Sequence, residues 1–345
     1  MPKNIDMILY LTALQALPLY VVSRYHLSGK QCNWQQVIIW QTTLILIFWI
    51  IWGGVSKDGP AYLYHFSIPD TWGHEPFFWN TGKSLSKIFP DPWPLKIFSA
   101  ISVTIGLGCY YSWLRHNEAA KRQIVTALLL MMYVPGIYLL TGNIVRQGLA
   151  TTIIIAAAIF LDRKKWIWAI AASVIALQIH FPSFILVACF LIAMILPLPI
   201  LRLAVLAPLL GMAVPHLSGI LGVEISQYIQ YSDYSEGSLH YIKLLAYGGI
   251  ALILLFCIKP RPIFKLDMRR VYIVIVAVAS LFVRYEVPFE RILNYSDYIL
   301  PLCIVPLLDH VLLRGKKAFY VLVLIAISGT ILWFAPSISV SMGYG

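Results

Sequence analysis

Asn143, Arg146 and Gln147 stand three and four residues apart in the run TGNIVRQGLATTIIIAAAIF (141–160). That spacing puts all three on one face of a helix start. The guanidinium and the two amides then share their spot with the backbone N–H groups and the positive dipole end of the helix. Such a set describes an anion site, and a phosphate is its natural guest. No Asp or Glu lies within one helical turn of Arg146 on either side. The residue is therefore expected to hold something the chain does not itself supply. The structural alternatives are an arginine snorkelling to lipid headgroups, or one paired with Glu286 or Glu290 from another helix.

Three further stretches carry groups of the right kind. In RYEVPFERILNYSDYILP (284–301), steps of three and four residues put Arg291, Asn294, Tyr295 and Tyr298 on one face at the start of an apolar segment. Arg284 and Arg291 flank the corner before it, supplying cationic groups beside aromatic faces of the sort sugar rings stack on, although an interfacial tyrosine belt has the same pattern. In ALQIHFPSF (176–184), His180 closes an apolar segment just before Pro182. Its imidazole is able to take a proton near neutral pH, though a lone histidine is more often a hydrogen-bonded structural residue. The stretch SKDGPAYLYHFSIPDTWGHEPFFWNTGKSL (56–85) is rich in aromatics, Pro and Gly and carries Asp58 and Glu75. Either carboxylate serves as a general base for a hydroxyl or merely neutralises an arginine. No spacing of His, Cys, Asp or Glu marks a metal site, and none is expected, nor any other cofactor.

The elements that must position these residues are membrane spans. The chain has 345 residues, 60% hydrophobic and only 12% charged, with mean hydropathy +0.78. A soluble protein of this size needs far more polar surface. Apolar runs long enough to cross a bilayer as helix fall near 6–23, 37–55, 96–114, 124–141, 144–161, 166–180, 182–197, 199–215, 241–258, 271–286, 292–313 and 318–336. The expected fold class is thus an all-α polytopic membrane protein: about twelve transmembrane helices in one bundle and one domain over 1–345. The loops at 115–122, 162–165, 259–270 and 314–317 are short and basic and should face the cytoplasm. Both termini and the longer loops near 56–95 and 216–240 then lie outside. In this arrangement the net charge of +11 is the positive-inside bias, and no nucleic-acid partner is expected. The five cysteines are scattered and form no disulfide or zinc framework. Asp58, Glu75, Asn143, Arg146, Gln147, His180, Arg284 and Arg291 all gather near the outer boundary.

These residues also carry a family resemblance. GNIVRQGLA followed some thirty residues later by QIHFPSF resembles the EpsG-type branch of the Wzy polysaccharide polymerases. KDGPAYLYHF is similar to that family's early outer loop, with Asp58 and Tyr62 in the recurring positions. HEPFFW resembles its Glu-Pro-aromatic element at Glu75, and ERILNYSDYILP its late Arg and Tyr segment at Arg291 and Tyr295. The resemblance implies an enzyme of the bacterial inner membrane whose active site faces the periplasm. It would transfer a growing glycan from undecaprenyl diphosphate onto a lipid-linked repeat unit, with a chain-length regulator as partner. Arg146 and Arg291 would stabilise the diphosphate, and Asp58, Glu75 or His180 would take the hydroxyl proton. An O-antigen ligase or another prenyl-phosphate-sugar glycosyltransferase would need the same groups. A flippase or transporter is a further alternative, but it should carry charges at mid-membrane and repeated halves.

Overall fold

The structure is a computed structural model that describes residues 33–52, 58–68, 75–131, 137, 140, 144–204, 206, 238–256, 258, 265–283 and 286–311. The expected spans at 6–23 and 318–336, most of the loop 216–240, and both Asn143 and Arg284 lie outside them. All regular structure among the described residues is helical. The chain divides into two compact units: one runs to Ser183 and resumes at Ile304, and the other covers Phe184–Cys303.

In the first unit, α1 (Trp34–Trp52), α2 (Gly59–Ser67), α3 (Pro76–Ser86), α4 (Trp93–His116), α5 (Lys121–Met131), α6 (Val145–Asp162) and α7 (Trp166–Ile179) are followed by a single 3-10 turn, Phe181–Ser183. Helix α6 sits between α4 and α7 and packs on both. Its buried face includes Gly148, Ala150, Thr151, Thr152, Ala157 and Ala158, small side chains that allow helices to approach closely without a hydrophobic drive between them. Both α4 and α6 end in the same way. Glu118 and Lys164 adopt positive φ, 56° and 61°, and the six-to-one bonds Ala119 N–H to Leu114 O and Lys165 N–H to Phe160 O, each 2.9 Å, close the helices in Schellman turns. At the same end the Arg163 guanidinium donates to the Ser112 carbonyl and hydroxyl, at 3.0 and 2.7 Å, tying α6 to α4.

The stretch 58–86 is more than a connector. It folds into α2 and α3, each with Pro in its first turn, where the missing N–H has no partner to lose. These helices have nine and eleven residues, well short of a span, so a search for bilayer-length runs passes over them.

In the second unit, α8 (Phe184–Ile195), α9 (Leu198–Ala204) and α10 (Ser238–Phe256) all pack on α11 (Met268–Ser280). Asp267 caps α11, accepting from the Arg269 N–H at 3.0 Å. Helix α12 (Glu286–Val311) begins earlier than the expected 292 and runs on through Pro301 and Pro306. Pro288 lies in its first turn, where proline is tolerated. The corner therefore falls before Glu286, and Arg291 is a helical residue.

Three helices among the described residues, α1, α4 and α6, are long and apolar enough to cross a membrane unaided; α7, α8 with the turn before it, and the apolar stretch Tyr241–Phe256 of α10 are shorter. Large apolar side chains point away from the protein, with Ile167 80% and Phe256 83% exposed. In water such surface would be a liability, but in lipid it is the ordinary boundary. The chain is an integral membrane protein.

Candidate functional site

The sequence supplies an arginine in the first turn of α6, where the helix dipole disfavours a cation. The compensating anion comes from α3. Glu75 occupies the N-cap position of that helix, yet its side chain makes no cap bond to its own backbone. Instead its Oε2 accepts from the Arg146 guanidinium. Its Oε1 meets the His180 Nδ1 at 3.1 Å and accepts the Phe181 N–H at 3.2 Å. His180 is positioned by the end of α7: its N–H closes the last turn on the Ala176 carbonyl at 2.9 Å, and its backbone is extended at φ −151°. The 3-10 turn after it, anchored by Ser183 N–H to the His180 carbonyl at 3.0 Å, aims the Phe181 N–H at the same carboxylate.

The carboxylate and the imidazole are almost sealed, with side chains 9% and 5% exposed, while that of Arg146 is 26% exposed. Burial alone pushes the Glu75 carboxyl upward. The hydrogen bond from His180 and the charge of Arg146 outweigh it, with help from the Phe181 N–H, and hold the group below its ordinary value. An ionised Glu75 fixes the imidazole tautomer: Nδ1 must carry the proton it donates, which makes Nε2 the nitrogen able to accept one.

Around the guanidinium stand three rings, Trp79, Tyr62 and Phe78, with centroids 5.0, 5.5 and 6.0 Å from its central carbon. Their quadrupoles favour the cation. The rings belong to a larger aromatic cluster in which Phe78 stacks on Phe98 of α4 at 4.7 Å and Phe66 packs against Phe78 and Trp79. Helices α2 and α3 thus act as an aromatic clasp on the start of α6.

Of the residues singled out in the sequence, Glu75, Arg146, His180 and Tyr62 come together here. Asp58 opens α2 one turn before Tyr62. Gln147 is fully buried in α6, its carbonyl taking the Thr151 hydroxyl at 2.6 Å. Arg146 pairs with Glu75, and Glu290 holds Lys243 of α10. The slot read as awaiting an external anion already contains a carboxylate of the chain.

Arg291, Asn294, Tyr295 and Tyr298 belong to the second unit. Arg291 is exposed, whereas Tyr295 and Tyr298 are buried, at 2% and 0%. Sequence reasoning passed over Phe78, Trp79 and the Phe181 N–H. The first two were legible as the third and fourth residues after Glu75 in HEPFFW. It also passed over Asp297, 2% exposed within α12, which accepts from the Tyr247 hydroxyl at 2.7 Å.

With this geometry in place, comparison with known proteins settles the family. The model of the EpsG family matches residues 35–343. The chain belongs to the EpsG family. The match takes in the described helices of both units, from the second residue of α1 onward, and all the residues of the Glu75 site. Among characterised relatives, the chain is similar to the EPS I polysaccharide export inner membrane protein EpsF of Ralstonia nicotianae (strain ATCC BAA-1114 / GMI1000), 25% identical over 142 residues, 40% of this chain and 32% of that protein. The protein of the same name from Ralstonia solanacearum is 24% identical over 111 residues, 31% of this chain and 25% of that protein. The matched region therefore spans a third or less of these relatives. No solved structure matches the chain.

Proposed function

We propose that this EpsG-family protein is a glycosyltransferase of the bacterial inner membrane that polymerises lipid-linked oligosaccharides on the periplasmic face. The observation that carries this reading is Glu75, which holds an imidazole on one oxygen and a guanidinium on the other. A base and a cation at fixed separation are what the transfer requires. The acceptor hydroxyl oxygen attacks the anomeric carbon of the growing chain, and its proton passes to His180 Nε2, which is buried here and is reached only once the acceptor opens the site. The bond from that carbon to the diphosphate oxygen breaks, and undecaprenyl diphosphate leaves with the electron pair. Arg146 meets the developing charge with N–H groups other than the one given to Glu75.

In this account Glu75 is a positioning residue. It orients His180 as the third member of a triad orients its histidine, and it stabilises the imidazolium that forms. Tyr62 and Trp79 are buried beside Arg146 and hold the guanidinium in place with their ring faces. The reading needs no metal. The names of the two relatives speak of export, and they favour one competing reading, in which the protein moves the glycan without lengthening it.

Purified wild-type protein in proteoliposomes, supplied with an undecaprenyl-diphosphate-linked oligosaccharide, separates the two. Polymerisation yields a ladder of longer lipid-linked products, and His180→Ala lowers its rate by about 100-fold or more. Transport without lengthening by active wild type would overturn the polymerase reading.

A further inference from the structure

Helix α4 carries two rows of side chains at the helical repeat on the face beside the one it buries. Lys96, Ala100 and Thr104 make a floor, and Ile97, Ile101 and Ile105 make a wall, successive members four residues apart. Ile50 of α1 closes the other side and Trp93 the upper end, leaving a groove of about 400 Å³. The Thr104 hydroxyl is turned back onto the Ala100 carbonyl at 2.7 Å, so the residue shows the groove its methyl group. From Lys96 to Ile105 the trough follows roughly 13 Å of helix axis.

The one charged group among the described lining residues lies at the mouth. The Lys96 ammonium donates to the Ile51 carbonyl at 2.9 Å, among the last carbonyls of α1, and stands 5.3 Å from the Trp93 ring centroid. That bond uses one of its three donors. A hydrocarbon trough with a cation at one end is complementary to a ligand with one apolar chain and an anionic head. The mouth is also at the catalytic end of the unit: Phe98, two residues from Lys96, stacks on Phe78 of the aromatic clasp that holds Arg146.

We propose that the groove between α1 and α4 seats the first isoprene units of the polyprenyl chain of the lipid-linked substrate, with its phosphate at Lys96. The identity of the lipid rests on the polymerase reading above. A single trough with a single cation suits a one-chain anionic lipid; a two-chain phospholipid would leave one chain outside it.

The test is native mass spectrometry of the full-length protein in detergent, titrated with undecaprenyl phosphate or with dioleoyl phosphatidylglycerol. Wild type should retain undecaprenyl phosphate against excess phosphatidylglycerol. Filling the trough with Ala100→Trp or Thr104→Trp should weaken retention by about tenfold or more, the equivalent of losing a few buried methylenes. Lys96→Gln, which adds no bulk and guards against a folding artefact, should weaken it several-fold, and Lys96→Arg should restore it. Retention unchanged in all three loss variants, or displacement by phosphatidylglycerol as readily as by undecaprenyl phosphate, would overturn the proposal. Because no sugar is transferred, the outcomes stay distinct. Groove binding without glycan lengthening would sink the polymerase reading alone, and lengthening with binding insensitive to the three variants would sink the groove alone.

Discussion

Glu75 concentrates the site's chemistry in one side chain, since each of its oxygens holds a different functional partner. Its depressed carboxyl value has a definite consequence for pH. A group held lower in the folded than in the unfolded protein contributes stability that is fully present above the unfolded value and is lost as pH falls through the folded one. The ordinary value is 4.5, so the contribution should be intact at pH 6 and should fade only below about 4.5. Thermal unfolding of wild type and Glu75→Gln in detergent, followed across pH, should show a gap in melting temperature that is constant near neutrality and closes in acid. A gap that widens as pH falls would contradict the assignment. Arg146 and His180 were both legible in the sequence, one as a cation in an apolar run and the other as a polar group ending one. Glu75 was legible too, as a base or as a carboxylate neutralising an arginine, but that it joins these two residues was not, because they lie 71 and 105 residues away. Hydropathy and helical spacing inform on neighbours within a turn or two, and they say nothing about which distant carboxylate closes a charge.

At the scale of elements, the site depends on how closely α2 approaches α3. A Cβ on Gly82 would stand 2.1 Å from the Phe66 ring, so the absence of a side chain there sets the distance between these helices. Phe66 has little room to yield, as it packs against Phe78, Trp79 and Phe98. Gly82→Ala should therefore destabilise the protein by about 1–3 kcal/mol and lower activity, because the displaced rings are the ones around Arg146. A melting temperature equal to that of wild type would mean the clasp is looser than described. The spans α1, α4 and α6 were readable because about twenty apolar residues in a row have few alternatives. Helices α2 and α3 were not, being short and built from Pro, Gly and aromatics, residues a sequence scan assigns to loops; their folding is decided by the packing of Tyr62, Phe66, Phe78 and Trp79. The start of α12 was misplaced for a related reason. Arg, Glu and Pro at 284–291 read as a corner, yet charged residues and an early proline are equally at home in a helix's first turns.

For the whole molecule, orientation decides which side of the membrane the Glu75 site faces. Basic loops at 115–122 and 162–165 lie at the end of α6 opposite Arg146, and the positive-inside bias would put them in the cytoplasm and the Glu75 site outside. In a variant whose own cysteines are replaced, Ser84→Cys should react with a membrane-impermeant maleimide in intact spheroplasts, and Lys164→Cys only after permeabilisation. The reverse pattern would turn the molecule over and remove the periplasmic reading. The central claim is that this EpsG-family protein lengthens lipid-linked glycans and needs Arg146 held by Glu75 to do so. The most direct measurement is the length distribution of lipid-linked glycans in the source bacterium with the gene deleted and then complemented. The account predicts that single repeat units accumulate on the lipid, that the wild-type gene restores long chains, and that stably expressed Arg146→Ala and Glu75→Gln do not. Long lipid-linked chains persisting in the deletion strain, or restored in full by Arg146→Ala, would contradict it.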